Sequence, residues 1–148
     1  MKKLLTLALA AIFVIIAFTM DASAAKKSSK KMSAEAMDEI SLTIDNLTKK
    51  VYGRALLSPE DNQKLIDVKI QLDNQMLSSP DVSLAPLYYK AGYLYKMREM
   101  KQESVECFQT ILENFADTAL APKARTSLRA MGIEVAEPVK ASDDEEEE

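Results

Sequence analysis

Residues 85–118 read APLYYKAGYLYKMREMKQESVECFQTILENFADT. The pattern predicts two helices here, one from around Leu84 to Pro86 as far as Arg98, the other over roughly Gln102 to Phe115. Only a few residues separate them. A connection that short forces the pair to pack antiparallel as a helical hairpin.

Working outward, two further helices are expected before the hairpin and one after it. Ser33 is a good N-cap, and Met37, Ile40, Ile44, Leu47 and Val51 then recur at spacings of three and four, ending near Gly53. Ser58-Pro59-Glu60-Asp61 is a second start signal: a hydroxyl cap, proline at the first helical position, and acids facing the positive end of the helix dipole. Leu65, Val68, Leu72 and Met76 make the inner face of that helix, and Ser78-Ser79-Pro80-Asp81 breaks it. Asp117 or Thr118 is expected to cap a fifth helix running to Met131, with Gly132 as its stop. No stretch alternates apolar and polar residues as a strand would, so the fold class is all-α, with about five helices.

The flanks read differently. Lys2 and Lys3 precede an apolar run from Leu4 to Phe18, and Ala22-Ser23-Ala24 supplies the small-x-small pattern of a cleavage site. Residues 1–24 are therefore expected to be a signal peptide, cleaved near Ala24 and Ala25, with a periplasmic or secreted product. Contact with a membrane follows only if residues 1–24 are retained. Residues 25–32 are expected to be a basic disordered leader, and residues 133–148 an acidic disordered tail ending in six consecutive carboxylates, Asp143 to Glu148. Those six outweigh the net charge of −4, so the helical region at 33–132 is nearly neutral, which argues against nucleic acid as a partner.

Followed residue by residue, 85–118 resembles one tetratricopeptide repeat, a helix–turn–helix unit with a large aromatic, Leu-Gly and Tyr on its first helix and Ala then Phe on its second. Tyr88 stands for the aromatic, Ala91-Gly92 for Leu-Gly, Tyr95 for Tyr, Ser104 for Ala and Phe108 for Phe, while Ala116 replaces the closing Pro. Gly92 and Ser104 are small where the helices must approach, and Tyr88, Tyr95 and Phe108 fill the seam. Residues 119–131 look like half of a next repeat, and the resemblance implies antiparallel helical hairpins that form a small right-handed stack of about five helices. The run from Phe115 to Ala124 is similar to repeats of the periplasmic Tol–Pal coordinator and outer-membrane assembly lipoprotein groups. The resemblance implies a concave face presenting Tyr89, Tyr93, Lys96 and Met97, joined by Lys123 and Ser127, that binds a peptide or partner protein of the cell envelope. The competing expectation is a self-associating assembly subunit that uses the stripe of helix 33–53.

Other chemistry finds little support. There is no histidine, so neither a base for the many serines nor a histidine metal site exists, and no catalytic residue is assigned. The single Cys107 cannot form an intramolecular disulfide and is expected to be an inert thiol. Met37, Met76, Met97 and Met131 fall at helical spacing, as core filling rather than a copper site, and the acidic tail lacks the spaced ligands of a calcium loop. No metal or cofactor is expected.

Overall fold

A computed structural model describes residues 31–136. The expected signal peptide, most of the basic leader and the acidic run lie outside the described residues. Within them the protein is all-helical: α1 (Ala34–Tyr52), α2 (Pro59–Ser78), a 3-10 turn (Val82–Leu84), α3 (Ala85–Met97), α4 (Lys101–Asn114) and α5 (Ala121–Ala130). No described helix is long and apolar enough to cross a membrane.

Local chemistry sets the boundaries. The Ser33 hydroxyl accepts a hydrogen bond from the Ala36 N–H at 3.2 Å. At the start of α2 the capping is reciprocal, the Asp61 N–H donating to Ser58 Oγ at 3.1 Å and the Ser58 N–H to Asp61 Oδ2 at 3.0 Å. The fifth helix departs from expectation. Neither Asp117 nor Thr118 caps it, because the Thr118 hydroxyl turns back to the Phe115 carbonyl at 2.7 Å, and α5 starts only at Ala121. Gly132 is the stop, with φ +76°, and the Gly132 and Ile133 N–H groups close on the carbonyls of Arg129 and Leu128.

The same double closure ends α1 and α3 without glycine in the left-handed position. Arg54 (φ 53°) and Glu99 (φ 59°) occupy it. The Arg54 and Ala55 N–H groups reach Val51 and Lys50, and those of Glu99 and Met100 reach Lys96 and Tyr95. Gly53, at φ −72°, stands one residue too early to be the left-handed residue.

Side-chain ties give the helix directions. Between α1 and α3 the pairs are Met37 with Ser83 in the turn leading into α3, Asp45 with Lys90 and Tyr52 with Tyr93, so the two helices run parallel. Between α2 and α3 they are Asn62 with Arg98, Leu65 with Tyr95 and Asp73 with Tyr88, so these run antiparallel. The Ser104 hydroxyl at the start of α4 donates to the Gly92 carbonyl at 2.8 Å and lies 3.5 Å from the Met131 sulfur at the end of α5. α1, α3 and α5 thus share one direction, and α2 and α4 the other.

α3 is the centre of the core. Tyr88, Ala91, Leu94 and Tyr95 on it are buried, with Phe108 and Ile111 of α4, Leu65 and Leu72 of α2, and Ala124 and Leu128 of α5 around them. Ile40, Ile44 and Leu47 of α1 are buried in the same core, and Met37 and Val51 pack against it. The stripe on which the assembly-subunit expectation rested therefore faces the protein's own interior rather than a second chain. The approach of α3 and α4 is close at Gly92, where an added Cβ would lie 3.0 Å from Cys107 Cβ and 3.1 Å from the Phe108 ring. Cys107 is buried there and reduced, and burial pushes its thiol up to about 12.

Candidate binding face

Parallel packing of α1 on α3 brings two surface tyrosines together. The Tyr52 hydroxyl donates to the Tyr93 hydroxyl at 3.1 Å, with Tyr52 64% and Tyr93 39% exposed. That hydrogen bond, ahead of a small desolvation, raises the Tyr52 phenol's pKa above its usual range. The pair offers two flat, amphipathic rings to solvent, one of the residue types enriched among the energetic hot spots of interfaces.

The surrounding charge is one-sided. No carboxylate lies within four residues of either tyrosine, whereas Lys49, Lys50, Arg54, Lys90 and Lys96 all do. Two of those cations are engaged. Lys90 grips Asp45 at 2.9 Å and Ser41 at 2.9 Å, and Lys50 grips Asp61 at 2.7 Å. Lys49, Arg54 and Lys96 carry no ion pair among the described residues, so the tyrosine pair sits in a positive field. Lys49 also borders a groove of about 570 Å³ between α1 and α2, which Asn46, Lys50, Asp61 and Lys64 line with mixed charge.

The six residues expected at the site do not form one cluster. Tyr93, Lys96 and Met97 lie on consecutive turns of α3, the first exposed and the other two half-buried. Tyr89 is half-buried, packs against the core and meets Phe108 edge-on with ring centroids 5.6 Å apart, so much of it is interior. Lys123 is exposed and Ser127 half-buried on α5. Among the described residues no hydrogen bond, ion pair or ring contact joins those two to the α3 group. Tyr52 was missed: it ends its helix off the apolar stripe, and only the parallel packing reveals it as Tyr93's partner.

Two other surfaces stand out. On α2, Ile66, Ile70 and Leu77 are exposed on the side opposite Leu65, Val68 and Leu72. Beneath α2, Lys69 is held between Asp73 at 2.7 Å and Glu106 at 3.1 Å, tying α2 to α4. Burial pulls the Lys69 pKa down, and the bonds to Asp73 and Glu106 outweigh it, for a net upward shift. No group of metal-ligating side chains occurs among the described residues.

What fold and face define together is an all-helical protein with an exposed, cation-flanked tyrosine pair. No known protein family, curated protein or solved structure matches the chain.

Proposed function

We propose that the chain is an exported tetratricopeptide-like scaffold of the cell envelope that holds an extended segment of a partner protein across α1 and α3. The observation that carries this reading is the Tyr52–Tyr93 pair with the cations Lys49, Arg54 and Lys96 beside it, which carry no ion pair among the described residues. Two hairpins in series support it, since the common direction of α1, α3 and α5 is the arrangement in which first helices of successive repeats line one face. The buried Gly92–Ser104 contact stands where such repeats are small. Export rests on the sequence of residues 1–24.

Replacing Tyr93 and Lys96 together with alanine should abolish capture of the partner from an envelope fraction, while helix content and melting temperature stay almost unchanged. The tyrosine is expected to supply about 2 kcal/mol of the contact energy, and the lysine mainly orientation and on-rate. A double variant that folds and still captures the partner overturns the reading. For localisation, fractionation should find soluble periplasmic protein beginning at Ala25. A carbonate-resistant membrane product that retains residues 1–24 would refute export as a cleaved protein.

A further inference from the structure

The positive field around Tyr52 and Tyr93 has its complement in the same chain. Asp143 to Glu148 is a run of six carboxylates, and it lies outside the described residues. The chain leaves α5 close to the face, because the Ser104 hydroxyl that touches the Gly92 carbonyl, next to Tyr93, also lies against the sulfur of Met131. An extended chain spans about 3.5 Å per residue, so the segment after Ala136 can carry the first acid roughly 25 Å away and the last roughly 40 Å away. That is ample to reach a surface that starts beside the exit point.

We propose that Asp143–Glu148 docks in cis on the Tyr52–Tyr93 face. Its carboxylates meet Lys49, Arg54 and Lys96, and it occupies the face in competition with an acidic segment of the partner. The proposal rests on the reading of that face as a peptide-binding surface and names the chemistry of the peptide: extended and acidic. Charge favours this surface over the α2 stripe of Ile66, Ile70 and Leu77, where Asp67 and Asp73 stand among the cations Lys64 and Lys69 and Lys69 is already paired with Asp73 and Glu106. The attraction between exposed groups is screened by salt, and the tether supplies an effective concentration in the millimolar range.

The test compares the full-length wild type with a full-length variant carrying Asp143→Asn, Asp144→Asn and Glu145→Gln through Glu148→Gln. In two-dimensional amide spectra the resonances of Lys49, Tyr52, Tyr93 and Lys96 should differ between the two chains. The difference should vanish in high salt and persist on dilution. A synthetic peptide of residues 141–148 should bind the neutralised chain about two- to tenfold more tightly than the wild type, since only the wild type carries the tethered competitor. Superimposable spectra, changes confined to α2, or changes lost on dilution would overturn docking in cis. If the spectra superimpose while Tyr93→Ala with Lys96→Ala still abolishes partner capture, the docking fails and the peptide-binding face stands. If that double variant captures the partner normally, the face itself is wrong.

Discussion

Tyr95 on α3 donates its buried hydroxyl to the Leu65 carbonyl of α2 at 2.8 Å, so a fully enclosed tyrosine of the core is also a polar tie between two helices. The neighbouring Tyr88 repeats the device with a charged acceptor, Asp73, at 3.0 Å. Burial raises both phenols' pKa values, and Asp73 adds to the effect at Tyr88. Tyr95→Phe removes one hydroxyl and leaves the shape intact, so it should destabilise by about 1 kcal/mol in urea titrations. Tyr88→Phe, losing a bond to an ionised partner, should lower stability by about 1.5–3 kcal/mol.

Gly92 should tolerate no side chain without movement. Gly92→Ala places its Cβ within 3.0–3.1 Å of Cys107 and the Phe108 ring. For Gly92→Ala the gain of about 1 kcal/mol in helix propensity offsets much of the cost of that small shift, whereas Gly92→Leu must separate α3 from α4 and should cost about 1–3 kcal/mol, as read from chemical denaturation. Unchanged stability of Gly92→Leu would mean that the hairpin does not pack as described.

Glu99 offers a gain. As a non-glycine residue at φ 59° it holds a conformation disfavoured by roughly 1–2 kcal/mol. Glu99→Gly should therefore stabilise the protein by about 1 kcal/mol net of the added freedom of the unfolded chain, which would appear as a melting-temperature rise of roughly 4–8 °C. Arg54→Gly should behave alike.

Acid should weaken the α1–α2 hairpin. The hydrogen bond from Lys50, followed by that from the Ser58 N–H, holds the Asp61 carboxyl below its usual range. A depressed folded pKa contributes stability that is present above the unfolded value of about 3.9 and lost as pH falls through the folded value. Stability of the wild type should therefore drop below about pH 4, and Asp61→Asn should flatten that drop while lowering stability at neutral pH. Equal acid sensitivity in the two proteins would count against the pair.

Cys107 reports on the hairpin's opening. With the thiol buried and its pKa at about 12, a thiol reagent should label the native protein only through opening of the α3–α4 seam. A raised folded pKa also means that stability falls as pH climbs above the free-thiol value of about 8.5. Labelling at the rate of a free thiol would contradict the burial.

Much of the fold was legible in local chemistry. Ser33 and Ser58-Pro59 cap the helices they were expected to cap, because a hydroxyl and a proline act within one turn. Ile40, Ile44 and Leu47 are buried, as their spacing required. Misreadings came where one polar group had two possible partners or where packing decided. Thr118 could cap forward or bond back, and it bonds back to Phe115. Tyr89 and Tyr93 are alike in sequence, and only the position of Phe108 turns the first toward the interior. Tyr52 could not be tied to Tyr93 before the direction of α1 against α3 was known.

Packing that, among the described residues, runs mainly between sequence neighbours and next-but-one neighbours has a kinetic consequence. Among the described residues α1 packs with α2 and α3, α2 with α3 and α4, α3 with α4, and α4 with α5; the hairpins close across a short span of chain, while the α1–α3 ties close loops of 41 to 49 residues. Chains rich in such local contacts lose little entropy in closing each loop and fold on microsecond to millisecond scales. Stopped-flow mixing should accordingly catch the descending arm of the chevron and miss most of the refolding near zero denaturant, and a chain of this design would spend very little time with its core open to neighbours.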